Sequence, residues 1–505
     1  MLYYNAKIYG RNETAFNVRA GKFDTFFHSL DEMPANATDL NGQWVFPGFN
    51  DAHGHFIGIS YMAKMRSLKD VTTLDLLAGA FHGVTGFTMG VQYDDKQLTL
   101  GRYLEKADLD ALNLEVPVIV LRICGHFAVA NQKAIDIAKA YHPDLPITPN
   151  VDFDKGHFKE DAIKWIQAPF FNPSVEDLQE DILSTQQHLL KQGITAFASD
   201  DFITYPVPYE RVIEAYKILA RTDRLRVRVY QQAHLRSLEL MDDFLRKGYA
   251  HQKYGRFTMG PSKLLVDGSL GAQTAAMKKP YQGTSETGLL NYDKETLKAY
   301  LKKLNAKKMD FAWHAIGDRT SQVIIDAVQE EGLFDGARPA IIHAQLTGLE
   351  EIKAMKEAGI GAQIQPIFLD DDLPIIHDYL GEKAKDTYLF KTLYESVPTA
   401  LSTDAPIVDV NPWMNIYAAI TRSSVKYPTL KPHLQEEALS FDQAIDAYTK
   451  QGAYFMRQEK LGALNEGFIA DFIVVKDLDP NDSESLKKAT VTMTVIDGTI
   501  EYQAE

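Results

Sequence analysis

Two histidines separated by one glycine, His53 and His55, end a short apolar run with the sequence VFPGFNDAHGH (residues 45–55). If this run is a β-strand, residues i and i+2 lie on the same face, so both imidazoles point the same way. Neutral imidazole is a ligand that zinc and similar ions favour. The pair therefore predicts a metal site, with a chance surface pair as the alternative for this motif taken alone.

Four more side chains able to bind a metal ion stand at the ends of later apolar segments: Lys263, His314, His343 and Asp404. Gathered in one place without partners, these imidazoles and charged groups would be costly to bury. Divalent cations would coordinate and neutralise them. With the first two histidines they make six candidate ligands, which is enough for two cations with a bridging water.

Eight apolar segments of strand length alternate with helix-length segments along most of the chain. They are VFPGFNDAH (residues 45–53) and residues 194–201, 225–232, 262–269, 310–318, 340–346, 361–366 and 399–406. This alternation predicts a (β/α)8 TIM barrel, an α/β fold whose active site lies at the carboxyl ends of its strands, where the six candidates would converge. A doubly wound open sheet is the alternative, but no G-x-G-x-x-G motif follows the first strand.

The two ends of the chain show short strand patterns instead of this alternation. Because unpaired strand edges favour pairing, we predict one small β-sandwich domain built from residues 1–48 and 455–505. The barrel then takes residues 49–60 and 176–454. Residues 61–175 are expected to form an α/β insertion over the barrel mouth, since connections of that length are normally lids or subdomains.

The composition excludes several classes of protein. The chain has 505 residues, of which 45% are hydrophobic and 24% charged, as in ordinary globular proteins. Its formal net charge of -15 argues against a nucleic-acid partner. The single cysteine, Cys124, rules out internal disulfides and a thiolate metal cage. With no signal segment and no apolar run long enough to span a membrane, a cytoplasmic protein without membrane attachment is expected.

Several sequence motifs, in the same order along the chain, resemble those of one enzyme family. FPGFNDAHGH resembles the first-strand signature of the amidohydrolase superfamily, and FAWHAIGD, IIHAQ and LSTDAP resemble its fifth-, sixth- and eighth-strand motifs. KLLVDGSLGAQTA, GHFAVAN and GALNEGFIADFIVV resemble the amidohydrolase 3 branch, which includes the YtcJ-like proteins and N-substituted formamide deformylases. The resemblance spans essentially the whole chain.

The resemblance implies a role for each candidate ligand. The histidines matching His53 and His55 bind the more buried cation in such enzymes, and those matching His314 and His343 bind the other. The aspartate matching Asp404 binds metal and shuttles protons. In members with two cations, a lysine at the position of Lys263 is carbamylated and bridges them. For Lys263 the alternative is a solvated or phosphate-facing lysine, and for Asp404 a turn residue at the strand end.

The family also implies a reaction. A hydroxide on one or two divalent cations, with zinc the first choice, would attack a carbonyl carbon while Asp404 carries the proton to the departing nitrogen. We therefore expect hydrolysis of a non-peptide carbon–nitrogen bond, such as an amide, formamide or N-acyl bond, in a small molecule. The alternatives are a deaminase or ester hydrolase with the same ligands, or a non-catalytic barrel that binds a regulatory ligand.

Other residues carry weaker predictions. His126 and Asp318 are candidate substrate-binding residues, and a structural role is the alternative for His126. The acidic run Asp370, Asp371 and Asp372 follows the seventh strand and is expected to be a solvated loop. The nine histidines besides these and the candidate ligands have no assigned partner. The sequence leaves open whether the chain forms a homo-oligomer.

Overall fold

A computed structural model of the protein describes residues 1–28, 37–123, 125–142, 144 and 150–504. Cys124, the lone cysteine, lies outside the described residues. The chain divides into two compact units. The first comprises Met1–Phe56, Leu183–Phe202 and Tyr216–Glu505, and the second Ile57–Ile182 and Ile203–Ala215.

The strands fall into four groups along the chain. The N-terminal strands are β1 (Leu2–Tyr4), β2 (Lys7–Ile8), β3 (Ala15–Arg19), β4 (Lys22–Phe27), β5 (Thr38–Asp39) and β6 (Trp44–Pro47). After β7 (Phe49–Gly54) come β8 (Met65–Ser67), β9 (Thr88–Tyr93), β10 (Val118–Arg122), β11 (Phe127–Ala130), β12 (Val151–Asp152) and β13 (His157–Lys159). They are followed by β14 (Ile194–Ser199), β15 (Arg228–His234), β16 (Lys253–Tyr254), β17 (Phe257–Leu265), β18 (Phe311–Ala315), β19 (Ala340–His343), β20 (Gly361–Ile364) and β21 (Thr399–Leu401). The last are β22 (Phe472–Lys476), β23 (Thr490–Ile496) and β24 (Thr499–Gln503).

The α-helices lie mainly between these strands. Those before β14 are α1 (Phe56–Ala63), α2 (Leu74–Ala80), α3 (Lys106–Asp110), α4 (Gln132–Tyr141), α5 (Asp161–Gln167) and α6 (Val175–Lys191). Those between β14 and β20 are α7 (Tyr209–Arg221), α8 (Leu238–Arg246), α9 (Lys294–Lys307), α10 (Asp318–Glu331) and α11 (Leu349–Ala358). The remainder are α12 (Leu369–Asp372), α13 (Ile376–Leu380), α14 (Phe390–Ser396), α15 (Pro412–Thr421), α16 (Phe441–Tyr448) and α17 (Lys450–Phe455).

Eight parallel strands form the barrel of the first unit, in the order β7, β14, β15, β17, β18, β19, β20 and β21. The short strand β16 pairs in antiparallel orientation with the first two residues of β17, Phe257 and Thr258. At the closing seam, the backbone N–H of Asp404 donates to the His53 carbonyl (2.9 Å), and the N–H of His55 donates to the Ala405 carbonyl (2.8 Å). The predicted (β/α)8 barrel is confirmed.

The helices around the barrel start where the sequence supplies a capping side chain. Ser237 accepts a hydrogen bond from the Leu240 N–H at the start of α8, and Asp293 accepts one from Thr296 at the start of α9. Ser440 and Gln443 form the reciprocal capping box of α16. Each cap satisfies a backbone N–H that lacks a partner within its helix.

Strands from the two ends of the chain pair with each other, as the sequence predicts. β22 runs antiparallel to β6, with Val474 opposite Val45. A four-stranded sheet (β4, β3, β1, β5) and a five-stranded sheet (β2, β6, β22, β23, β24) share one hydrophobic core that includes Tyr3, Phe16 and Phe472. Burying such aromatic side chains supplies much of the free energy that holds the two ends of the chain together. The predicted domain boundaries stay a prediction.

The second unit contains the residues predicted to form an insertion. Its sheet has the order β12, β13, β11, β10, β9, β8. Along β10, Val118 and Val120 belong to one hydrophobic cluster and Ile119 to another, so the sheet is covered by apolar side chains on both faces. Its predicted placement over the barrel mouth stays a prediction.

The expectation of a solvated acidic loop after the seventh strand is wrong. Only Asp371 is exposed, whereas Asp370 and Asp372 are buried. Asp372 accepts hydrogen bonds from the Gln345 side-chain amide (2.9 Å) and from the Tyr388 hydroxyl. The reason is that a short 3-10 helix (Pro366–Phe368) and then α12 follow this strand, and α12 turns two of the three carboxylates toward hydrogen-bond donors of other segments.

Among the described residues, no helix has both the length and the apolar character needed to cross a membrane.

Candidate metal centre

The side chains of His53, His55 and Asp404 meet at the carboxyl end of the barrel. Asp404 Oδ1 lies 3.1 Å from Nε2 of His53 and 3.1 Å from Nε2 of His55. Among the described residues, these three form a possible metal-binding group, in which one nitrogen or oxygen atom from each side chain lies within 4.8 Å of the other two. Strands β7 and β21 bring them together because they are the first and last of the barrel and meet at its closing seam.

The other ring nitrogen of each histidine is held by the protein. His53 Nδ1 is hydrogen-bonded to Gln232 Oε1 (2.8 Å), and His55 Nδ1 to the carbonyl oxygen of Asp200 (2.8 Å). Because both partners are acceptors, Nδ1 carries a proton, and in the neutral ring, the form that binds a cation, the lone pair is on Nε2. Both lone pairs are therefore turned toward Asp404.

Lys263 lies beside this group. Its Nζ is 3.2 Å from His53 Nε2, and its side chain is almost completely buried. A surface lysine facing solvent, the alternative considered from the sequence, does not fit this position.

His314 and His343 lie next to each other, with ring centroids 4.4 Å apart. The His343 ring is in turn 5.8 Å from the His53 ring. His343 Nδ1 is bonded to Gln365 Oε1 (2.7 Å), and His314 Nε2 lies 3.0 Å from the carbonyl oxygen of Gly268. These contacts leave the lone pairs on Nε2 of His343 and on Nδ1 of His314.

Burial sets the charge of the group. Burial, assisted by the neighbouring Lys263, lowers the pKa of His53 to about 4. Burial, assisted by His314, holds the pKa of His343 well below its usual value. For Asp404, burial acts upward, but the adjacent His53 and His55 outweigh it and hold the pKa of the carboxyl well below its usual range. For His55, burial acts downward, but Asp404 outweighs it and raises the pKa to about 9.

Two site residues occupy left-handed backbone conformations. His343 has φ 78° and Asp404 has φ 60°, a region that costs a non-glycine residue about 1–3 kcal/mol. Each residue stands where a barrel strand ends and the chain turns sharply. The surrounding fold holds these conformations, which aim both side chains into the site.

A buried carboxylate fixes the loop after β18. Asp267 accepts hydrogen bonds from the backbone N–H groups of Ile316 (3.1 Å) and Gly317 (2.8 Å). A side chain at Gly317 would place its Cβ 2.0 Å from the Ala276 carbonyl oxygen, so this close approach requires glycine. Asp267 Oδ1 also lies 3.2 Å from His314 Nε2, and it therefore orients that ring.

The donor set fits a divalent cation. His53 and His343 have depressed pKa values and offer neutral nitrogens, and Asp404 offers an anionic oxygen. Nitrogen and carboxylate oxygen are the ligands that zinc and related ions take in hydrolases. The protein acceptors on the ring nitrogens turned away from the centre supply the orientation that metal-binding histidines need.

The two candidate substrate-binding residues make contacts of their own. His126 Nδ1 lies 3.0 Å from Glu160 Oε2, and both side chains are more than half exposed. Asp318 accepts a hydrogen bond from the Lys278 backbone N–H (2.8 Å) and lies 3.3 Å from Lys383 Nζ. Their roles in substrate binding stay predictions.

Sequence reasoning missed the residues that orient the ligands: Gln232, Gln365, Asp267 and Asp200. Gln232 lies two residues before the end of β15, whereas Gln365, Asp200 and Asp267 lie one or two residues beyond the end of a barrel strand. A search for polar residues at every strand end, and not only for histidine and carboxylate motifs, would have found them.

A family model described as the Amidohydrolase family matches residues 36–502. The chain belongs to the amidohydrolase family. The match covers nearly the whole sequence and confirms the resemblance to the amidohydrolase 3 branch.

Individual relatives of this amidohydrolase cover almost its full length. YtcJ of Bacillus subtilis (strain 168), a protein named as an amidohydrolase, is 28% identical over 506 residues, covering 96% of this chain and 93% of YtcJ. An uncharacterised metal-dependent hydrolase of Pyrococcus furiosus is 27% identical with a TM-score of 0.77, covering 95% of this chain and 99% of its own. A similar hydrolase of Pyrococcus horikoshii OT3 is 26% identical with a TM-score of 0.76, covering 95% and 97%. The chain is thus a metal-dependent hydrolase of the amidohydrolase family.

Proposed function

We propose that this amidohydrolase cleaves a non-peptide carbon–nitrogen bond of a small molecule: an amide, formamide or N-acyl bond. The observation that carries the proposal is the position of Asp404, whose Oδ1 lies 3.1 Å from both imidazoles of the His-x-His pair. The side chains of His53, Lys263 and His343 are almost fully buried, which favours a small substrate over a polypeptide chain.

His53, His55 and Asp404 would hold the cation. A divalent cation bound there supplies Lewis acidity, which polarises a carbonyl group and makes a water molecule more acidic. Asp404, kept ionised by its two histidine neighbours, accepts the proton of the attacking water and returns it to the leaving nitrogen. An amine is a poor leaving group until it is protonated, so this second transfer is needed for cleavage.

We also propose that Lys263 is carbamylated and that a second cation is held with the help of His314 and His343. Burial lowers the pKa of Lys263, although Asp200 and Asp404 oppose this, and a lowered pKa increases the fraction of free amine that can react with carbon dioxide. Metal analysis tests this point. Two cations per chain are expected for the wild type and fewer for Lys263→Ala, whereas one cation in both proteins would contradict it.

The reaction is tested with protein reconstituted separately with zinc, manganese and cobalt. The substrate panel contains N-acyl amino acids, N-formyl amines and cyclic amides, and the released amine is measured. We expect turnover of at least one class, and a fall in kcat of about 10²- to 10⁴-fold in Asp404→Asn, the range that a positioned general acid/base contributes.

Asp378→Asn is the matched control because Asp378 is an exposed aspartate on α13, and its kcat should equal that of the wild type. Release of ammonia from aminated heterocycles, or cleavage of esters only, would assign the chain to a deaminase or esterase instead. A cation-loaded protein that is inert toward the whole panel, and that binds a ligand equally well with Asn at position 404, would favour a non-catalytic barrel.

A further inference from the structure

The side chains of a buried aspartate–histidine pair, Asp200 and His234, take no part in the reaction described above. His234 Nδ1 is hydrogen-bonded to Asp200 Oδ2 (2.9 Å), and the two side chains are 0% and 1% exposed. Asp200 follows β14 and His234 ends β15. The pair therefore stands at the carboxyl ends of two neighbouring barrel strands.

The register of the barrel places His234 next to Lys263. Gln232 points into the barrel, since it contacts His53, and His234 is two residues further along the same strand, so it lies on the same face. His234 is the direct partner of Lys263 in the pairing of β15 with β17. Adjacent strands are about 4.8 Å apart, so the two side chains are neighbours on the inner face.

Two polar atoms of the pair lack hydrogen-bond partners. Among the described residues, neither His234 Nε2 nor Asp200 Oδ1 has one, although both atoms are buried. Buried polar atoms in native proteins nearly always have partners, and an exception is expected where a further group binds. Because His234 is paired with Lys263 across the two strands, that lysine is the neighbouring residue on which such a group would be attached.

We propose that His234, held by Asp200, promotes the carbamylation of Lys263 and then binds the carbamate. This inference rests on the carbamylated lysine of the proposed function and extends it to residues outside the ligand set. His234 acts through Lys263 and is therefore a positioning residue. Complete burial of its side chain fits a buried lysine adduct better than contact with a substrate that enters from solvent.

The covalent step balances with carbon dioxide as the co-reactant. The lone pair of the Lys263 amine nitrogen forms a bond to the carbon of carbon dioxide, and one carbon–oxygen π pair becomes a lone pair on a carbamate oxygen. The nitrogen gives up one proton to His234 Nε2, whose lone pair is free because Nδ1 donates to Asp200. The resulting imidazolium lies between two anions, and its Nε2–H donates to the carbamate oxygen.

The experiment uses zinc-reconstituted protein equilibrated with increasing ¹³C-labelled bicarbonate and observed by ¹³C NMR. The carbamate resonance is assigned by its loss in Lys263→Ala. Loss of a charge-assisted hydrogen bond should raise the bicarbonate needed for half occupancy by about 10- to 100-fold in His234→Gln. Asp200→Asn removes the charge that orients the His234 ring, so this variant should also need more bicarbonate for half occupancy. His188→Gln, at an exposed histidine on α6, should leave it unchanged.

The outcomes separate this inference from the proposed function. A wild-type resonance that persists in His234→Gln and Asp200→Asn at the same bicarbonate concentration overturns the inference alone. If the wild type shows no resonance that depends on Lys263, both the carbamate and this inference are overturned. The proposed hydrolysis is then still tested by the amide assay with Asp404→Asn. If circular dichroism shows that His234→Gln does not fold, the bicarbonate titration of Asp200→Asn tests the inference instead.

Discussion

The ligands of the candidate metal centre share one arrangement at the level of single residues. In His53, His55 and His343, Nδ1 is hydrogen-bonded to an oxygen acceptor of the protein, so Nε2 is the nitrogen left for a cation. The acceptors are two glutamine side chains, Gln232 and Gln365, and one backbone carbonyl. Neutral amide acceptors fix the ring without adding charge to a site that already holds a carboxylate. The orientation of the ligands therefore depends on residues that do not themselves bind a cation.

Replacing one of these acceptors should weaken cation binding. In Gln232→Met, His53 loses the partner of its Nδ1–H (2.8 Å), so the ring can rotate and its buried N–H is left unsatisfied. We expect the affinity for zinc to fall by about 10- to 100-fold, as is usual when a group that orients a metal ligand is lost. The zinc affinity is measured by competition with a chromogenic chelator.

Gln187→Met is the control for this substitution, since Gln187 is exposed on α6. Equal zinc affinity in the wild type and both variants would mean that packing alone holds the His53 ring.

A second prediction at this scale concerns pH. Burial raises the pKa of Asp372 to about 6 from 3.8, although the hydrogen bond from Tyr388 opposes this. The folded protein therefore holds this proton more tightly than the unfolded chain does. The resulting stability is complete below about pH 4 and is lost as the pH rises through about 6, a change of up to about 3 kcal/mol.

Asp372→Asn cannot ionise, so its melting temperature should rise relative to that of the wild type between about pH 4 and pH 7. Thermal denaturation across this range measures the difference. Asp371→Asn, at the neighbouring exposed carboxylate that pairs with Lys426 (2.6 Å), should show no such gain. If the difference in melting temperature between Asp372→Asn and the wild type stayed constant over this pH range, the buried Asp372 carboxyl would not be titrating there.

At the scale of structural elements, the terminal sheets hold the ends of the chain together. The Phe472 side chain of β22 is fully buried, and its ring lies 5.1 Å from that of Tyr3 on β1 and 5.1 Å from that of Phe16 on β3. Contacts between residues so far apart in sequence are entropically costly to close. A large apolar side chain at this point compensates for that cost.

Phe472→Ala should therefore destabilise the protein strongly. The transfer of the lost ring and the cavity left behind together cost about 3–5 kcal/mol. The readout is the shift of the thermal or urea transition. Phe27→Ala, at a partly exposed phenylalanine of β4, should cost clearly less. Similar losses for the two variants would show that the shared core does not stabilise the terminal sheets.

At the scale of the whole molecule, the metal centre joins the first strand of the barrel to its last. His53 and His55 come from the end of β7, and Asp404 follows β21, 349 residues after His55. A cation bound by all three would link the two sides of the closing seam. Cation binding should therefore stabilise the complete barrel.

Chelation should lower the melting temperature of the metal-loaded protein, and added zinc should restore it. A ligand present at a hundredfold excess over its Kd stabilises the native state by about 3 kcal/mol. In the double variant His53→Asn/His55→Asn, chelation should lower the melting temperature less than it does in the wild type. Identical melting of the wild type before and after verified removal of the cation would contradict a site that bridges the seam.

The sequence by itself determined the barrel and most of the candidate ligands. Alternating strand and helix periods record local burial, and the His-x-His pair lies within one strand, so both can be predicted without knowing what lies nearby. The tertiary structure decided which side chains meet.

Gln232, Asp200 and His234 are not marked by any local sequence pattern. They matter because neighbouring strands place them beside His53, His55 and Lys263, respectively. The acidic run after the seventh strand shows the same limit, since burial of Asp370 and Asp372 depends on donors supplied by distant segments. Sequence patterns report which face of an element is buried, whereas the partner of a buried polar group is set by the register and closure of the barrel.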